Sequence, residues 1–350
     1  MKPKLSSFLQ TRWNVILYQT LGWKIAFWYL ILLGRIYFYL YPEEKEKIED
    51  ALETAVLPSR WSFERSEIKK KVFRGILAHY YEKLFNAYEN IEDLKRFFNE
   101  RIEAECLHRL DTALDKGNGV LFVTAHYGGV EYIPIFLAYK GYPISVIARF
   151  ATAQLRETLH RRTKPFGLKI IDADEEKNVM GCVLRELGAN RIVFTECDEI
   201  KQWRPSRSEK MVFLNKRIGV DRTLNILHKR SGAQVLFGVL HRFNLAHYRL
   251  ILEDPQERKL LLQQSASSLA GVVLALLEQY IYSYPEEWYQ WKNYAVILED
   301  PAPREAVRER KRVGSKIPLE PGGLHAARPV RFPGPVPEAW SPSQLYGRTS

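Results

Sequence analysis

Residues 117–137 read GNGVLFVTAHYGGVEYIPIFL. The run VLFVTA at 120–125 is almost purely apolar, too short for an isolated helix and preceded by glycine, which is the pattern of a central parallel strand buried on both faces. His126 follows directly. Gly128 and Gly129 then supply the backbone freedom for a turn, and Glu131 opens a second segment of helical character.

Working outward from this strand, short apolar runs recur at 143–149 (PISVIAR), 168–172 (LKIID), 191–196 (RIVFTE), 233–242 (AQVLFGVLHR) and 248–254 (YRLILED). Helical stretches at 152–164, 176–187 and 221–231 separate them. This alternation predicts an α/β fold with a mostly parallel central sheet flanked by helices. KLLLQQSASSLAGVVLALLEQYIYSY (259–284) reads as one long apolar helix. Upstream, SFERSEIKKKVFRGILAHYYEKLFNAY (62–88) places Ile68, Val72, Ile76, Tyr80 and Leu84 four residues apart, which makes one packing stripe within a helical subdomain.

Residues 15–41, VILYQTLGWKIAFWYLILLGRIYFYLY, are long enough to span a bilayer, but Lys24 and Arg35 leave only IAFWYLILLG uncharged between them. A charge near the bilayer centre costs roughly 2.5–3.5 kcal/mol, so a tilted interfacial helix competes with a true span. Either form is a membrane-associated N-terminal helix. The stretch lacks a small-residue cleavage site, so it is expected to stay attached. The expected organisation is an anchor at 1–41, a helical region at 42–116, an α/β core at 117–298 and a disordered tail rich in Pro, Gly and Arg at 299–350.

A chain of 350 residues buries a full core without staples. Its three cysteines, Cys106, Cys182 and Cys197, are scattered and odd in number, with no paired spacing that suggests a disulfide framework, and a reducing compartment is the simpler expectation. The net charge of +11 suits an acidic partner. Nucleic acid is not expected among such partners, because the basic residues are dispersed and an apolar helix has no use there. With no metal-ligand spacing, P-loop or dinucleotide fingerprint, neither a metal nor a cofactor is expected.

The chemistry is expected at the strand end. A turn followed by a helix lets the His126 imidazole project while the Glu131 carboxylate faces it, fixing its tautomer for general-base work on a hydroxyl. Open α/β sheets place their ligands at such strand ends. His79, His108, His160, His228, His241 and His247 lack any motif context.

KGNGVLFVTAHYGGVE (116–131) resembles the first block of the lipid A biosynthesis late acyltransferases, a branch of the His-x4-Asp/Glu acyltransferases. Further blocks follow in order. VIARF with Arg149, then Arg161 and Arg162 before PFG, resembles an arginine block. RELGANRIVFTECDE leads to an acidic turn with Glu196 and Asp198, MVFLNKRIGVDRTLNILHKRSGAQVLFGVLHR follows, and YPEEWYQWKNY resembles the closing Pro-Glu-x-Trp block.

The resemblance implies direct acyl transfer from an acyl carrier protein thioester, or from acyl-CoA, to a hydroxyl of a lipid A precursor or related glycolipid. It places the chain at the cytoplasmic face of a bacterial inner membrane. His126 is then the base and Glu131 its orienter. Arg149, Arg161 and Arg162 hold the acceptor's phosphate or the oxyanion, with Glu196 and Asp198 also counted in the substrate site. Lysophospholipids and phosphoinositide mannosides are alternative acceptors, and a silent lipid-binding homologue is the alternative from outside enzymes. As plain structure, Arg161 and Arg162 form a solvated helix face, Glu196 and Asp198 cap a turn, and PEEWYQW packs. The chain departs from the family where an Asn-Trp pair is replaced by Gly129-Val130 and a Phe-Gly pair by Leu214-Asn215, and WRPSRSEK (203–210) is an added basic stretch. These departures bear on acceptor identity.

Overall fold

A computed structural model describes residues 5–56, 62–150, 152–262 and 268–297. The tail expected at 299–350 lies outside the described residues. The chain opens with helices α1 (Leu5–Leu9), α2 (Arg12–Leu21), α3 (Trp23–Leu40), α4 (Pro42–Ala55), α5 (Ser62–Tyr88) and α6 (Ile91–Arg101). Strand β1 (Ile102–Glu103) and helix α7 (His108–Leu114) lead into the alternating region: β2 (Val120–Thr124), α8 (Ile133–Tyr139), β3 (Ile144–Ala148), α9 (Ala153–Thr163), β4 (Lys169–Asp172), α10 (Val179–Gly188) and β5 (Ile192–Glu196). A hairpin of β6 (Pro205–Phe213) and β7 (Lys216–Asp221) follows, then α11 (Thr223–Ser231), β8 (Gln234–Asn244), β9 (His247–Glu253), α12 (Pro255–Leu262) and α13 (Leu269–Ser283).

Seven strands form one mixed α/β sheet in the order β1-β9-β8-β2-β5-β3-β4, parallel throughout except where β9 runs antiparallel to β8. Strand β2 is central. Its residues Val120, Leu121, Phe122 and Val123 are at most 1% exposed. Helices cover both faces, so these side chains gain roughly 1.5–3 kcal/mol each from burial. Register decides the site. Thr124 at the end of β2 pairs with Glu196 at the end of β5, and Cys197 N donates to Thr124 O at 2.7 Å.

The stripe expected on α5 is a packing face, with Val72, Ile76, Tyr80 and Leu84 buried. Trp23 of α3 sits edge-on against Tyr81 and Phe85 of α5, with ring centroids 5.9 and 5.2 Å apart. A buried ion pair ties α5 to the sheet: Arg242 Nε of β8 donates to Glu82 Oε1 at 2.6 Å, and Tyr248 OH donates to the same oxygen at 2.9 Å. Removing one member of such a pair costs about 3–5 kcal/mol, because the other is left buried and uncompensated.

Three readings of the sequence are altered. The apolar run at 259–284 is broken, because the Ser268 side chain accepts from Gly271 N and starts α13 as a separate helix. The basic stretch at 203–210 runs into β6, whose hairpin turns at Leu214 and Asn215 with φ of 49° and 64°. Leu214 tolerates that left-handed backbone because it is fully buried, its N–H donates to Glu278 Oε1 at 2.6 Å, and its carbonyl accepts from Tyr294 OH at 2.6 Å. At the N-terminus, no single helix among the described residues is long and apolar enough to cross a membrane. Ile25–Leu40 and Pro42–Ala55 pass that test only together, across a 95° bend.

Candidate active site

The turn after β2 is built around Gly128, whose φ of +55° and surroundings admit only glycine: a Cβ there would lie 2.1 Å from Leu240 O. Gly128 N donates to Glu287 O at 2.9 Å and Gly129 N to Leu240 O at 2.8 Å, so the turn is pinned from two sides.

His126 stands two residues beyond Thr124, and Asp198 stands two residues beyond Glu196. The Thr124–Glu196 register therefore brings together side chains 72 positions apart. Asp198 is fully buried. Its Oδ1 lies 3.0 Å from His126 Nδ1, both its oxygens accept from His126 N at 3.1 Å, and its Oδ2 accepts from Trp288 Nε1 at 2.8 Å. Gln290 Nε2 also lies 3.0 Å from His126 Nδ1. Nδ1 cannot serve both partners at once, since Asp198 needs a proton there and Gln290 a lone pair; the charge-assisted bond to the carboxylate is the stronger. With the proton on Nδ1, Nε2 is the atom presented to the cavity.

Glu131 does not fill the place expected for it. Among the described residues its carboxylate pairs with Lys83 Nζ at 3.1 Å and with His79 Nε2 at 3.5 Å, and not with His126. The reason is local. Glu131 lies in a 3-10 turn (Val130–Tyr132) rather than in a first α-helical turn, and it faces α5, whose Asn86 Nδ2 donates to Glu131 O at 2.7 Å.

Carboxylates nonetheless surround His126. Its Nε2 is 3.4 Å from Glu196 Oε2 and 3.7 Å from Glu199 Oε1. Burial alone would lower the imidazole pKa, but Glu196, Asp198 and Glu199 together outweigh it and push the value up to about 10. Burial raises Glu196 to about 7, against the opposing pull of His126. His79 goes the other way, held well below the usual imidazole range by burial and then by Lys83 and His126.

Nε2 opens on a cavity of about 480 Å³, within the range of small-molecule sites of roughly 300–1,000 Å³. Lys83, Glu131, Arg149, Glu196, Glu199 and Arg204 line it together with His126. Its remaining wall is largely apolar, drawn from β3, β5, α10, α11 and α13 through residues such as Val146, Phe194, Val183, Leu227 and Val273.

The three expected arginines separate. Arg149 lines the cavity, half-exposed, with Nε 3.1 Å from Asp174 Oδ1. Arg161 is exposed and outside the cavity wall. Arg162 is buried, donates from Nη1 to Glu89 O at the end of α5, and is lowered to about 10 by burial, so it acts as a helix cap rather than a cavity donor.

His126, Glu196 and Glu199 could also hold a cation, with one ligand atom from each lying within 4.8 Å of the others. The sequence reading missed Lys83, His79, Glu199 and the Trp288–Gln290 contacts. The i,i+4 spacing of His79 and Lys83 on α5 was the one signal available for the first pair.

A family model described as bacterial lipid A biosynthesis acyltransferase matches residues 17–293. No curated protein matches the chain.

Proposed function

The chain belongs to the bacterial lipid A biosynthesis acyltransferase family and is an acyltransferase; on that premise we propose that it moves a fatty acyl chain from an acyl carrier protein thioester to a hydroxyl of a lipid A precursor or related glycolipid. One observation carries this reading: His126 Nε2 opens onto an apolar-walled cavity while Nδ1 is held by the buried Asp198.

In the transfer, the acceptor hydroxyl gives its proton to Nε2 as its oxygen attacks the thioester carbonyl. The tetrahedral adduct then expels the thiolate, which takes the proton back from Nε2, so no acyl-enzyme is formed. Asp198 stabilises the imidazolium during this interval. The apolar wall receives the acyl chain. Arg149 and Lys83, cations on the cavity wall, serve the acceptor's phosphate or the developing oxyanion. Glu131 holds Lys83 in place.

The proposed location is the cytoplasmic face of a bacterial inner membrane, with α3 lying in the interface rather than spanning it. Ile25, Trp28, Leu32, Ile36 and Tyr39 recur at helical spacing and are 45–85% exposed, while Ala26, Phe27 and Leu30 of the opposite face are buried. The net charge of +11 suits anionic headgroups and an acidic carrier protein alike.

The test incubates native protein and His126→Ala with acyl carrier protein thioester or acyl-CoA and a panel of phosphorylated glycolipid and lysophospholipid acceptors. Transfer to a glycolipid from the carrier thioester, reduced about 10²–10⁴-fold in the variant, is expected. Equal transfer by both proteins overturns the mechanism, and preference for acyl-CoA or a lysophospholipid overturns the substrate assignment.

A further inference from the structure

The segment after α13 makes four successive contacts, three with the turn that carries His126 and one with Asp198. Gly128 N donates to Glu287 O at 2.9 Å, Trp288 Nε1 donates to Asp198 Oδ2 at 2.8 Å, Tyr289 N donates to His126 O at 2.9 Å, and the Gln290 amide nitrogen sits 3.0 Å from His126 Nδ1. Tyr127 and Trp288 also form an isolated antiparallel bridge.

Packing alone does not account for this arrangement. A buried indole N–H needs some acceptor, and Trp291, fully buried and edge-on to Trp288 at 4.8 Å, satisfies its own with Pro285 O at 2.7 Å. Trp288 instead donates its N–H to Asp198, the carboxylate at His126 Nδ1. The strap is anchored in turn from outside the site: the Glu287 side chain accepts from Arg242 N at 3.0 Å, next to the buried Arg242–Glu82 pair.

We propose that residues 287–290 are a positioning strap for the catalytic base, in which Trp288 fixes Asp198, Asp198 fixes the His126 imidazole, and the flanking backbone fixes the turn that carries it. This rests on His126 being the base. None of the strap side chains is assigned contact with substrate; they act through His126 and Asp198.

The test replaces Trp288 with β-(3-benzothienyl)alanine, which keeps the fused-ring shape and loses the N–H, and in parallel makes Trp288→Phe, Trp291→Phe and His126→Ala. Thermal unfolding is recorded for each. Both Trp288 replacements are expected to lower kcat about tenfold to a hundredfold, the worth of one hydrogen bond to a charged group, with KM for donor and acceptor unchanged. They are also expected to move the rising limb of kcat/KM to higher pH, because Asp198 without its indole donor concentrates more negative charge on the imidazolium. Trp291→Phe lowers the unfolding temperature but leaves that limb in place. A benzothienyl variant with native kcat and an unmoved limb overturns the strap while an inactive His126→Ala leaves the base assignment standing; transfer surviving in His126→Ala overturns both.

Discussion

His126 and His79 have ring centroids 6.4 Å apart, and their surroundings drive their charges in opposite directions. The carboxylates of Glu196, Asp198 and Glu199 face His126 and push its pKa up, against the opposing effect of burial. His79 stacks on Tyr289 at 4.1 Å, and Glu131, the carboxylate it meets among the described residues, is shared with Lys83, so burial and then Lys83 and His126 hold its pKa well below the usual imidazole range. A carboxylate beside a histidine therefore decides little by itself. What matters is whether that carboxylate's charge is already taken by a nearer cation.

The sharpest way to break this contrast is to remove each carboxylate in turn. Asp198→Asn is expected to lower kcat about 10²–10⁴-fold, since the neutral amide lacks the charge that stabilises an imidazolium and has one oxygen where Asp198 uses two. Glu131→Gln, which removes a carboxylate paired with Lys83 and His79 rather than with His126, is expected to cost less. Steady-state kinetics of the two variants side by side settles the order, and a larger loss in Glu131→Gln returns that residue to the role of orienter.

A smaller effect is expected in the pH profile. A general base works only when unprotonated, so kcat/KM should rise with pH well past the ordinary imidazole value near 6.5, by about tenfold per unit, and level off toward about 10. Removing a neighbouring negative charge destabilises the imidazolium, so Glu199→Gln should move this limb to lower pH. A limb already at its plateau by pH 7 in the native protein would mean the resting imidazole is neutral.

The smallest expected change is spectroscopic. Lys83→Met frees Glu131 for His79 and removes one of the charges that hold it neutral, so the His79 ring signals should titrate at higher pH than in the native protein, while remaining below the ordinary imidazole value because burial persists. An unmoved titration would remove Lys83 from the causes that lower His79.

Much of the fold was readable in advance because each of its signals is local. The apolar runs expected as strands coincide with β2, β3, β4, β5, β8 and β9, as buried strands must be apolar along their whole length. The hairpin of β6 and β7 was not readable: PSRSEK (205–210) carries no apolar alternation, and its strands pair with each other rather than joining the main sheet. The break before α13 was hidden too, because a single capping serine inside an apolar run looks like an ordinary helix residue until its side chain is seen accepting from Gly271 N.

The site divides along the same line. The sequence by itself determined that a histidine follows a central strand on a glycine turn, that an acidic turn follows a second strand, and that an apolar aromatic stretch interrupted by Lys24 and Arg35 lies near the N-terminus, since composition and turn chemistry are written in neighbouring residues. Which acid meets His126 was decided only by tertiary structure. Glu131 is five residues away and turns toward α5, while Asp198 is 72 residues away and is delivered by the parallel register of β2 and β5. Residues 287–290 likewise reach His126 only because the sheet and α13 carry them there. Strand pairing and helix packing act over distances in space that have no counterpart in spacing along the chain, and that is where the charge of the imidazole was set.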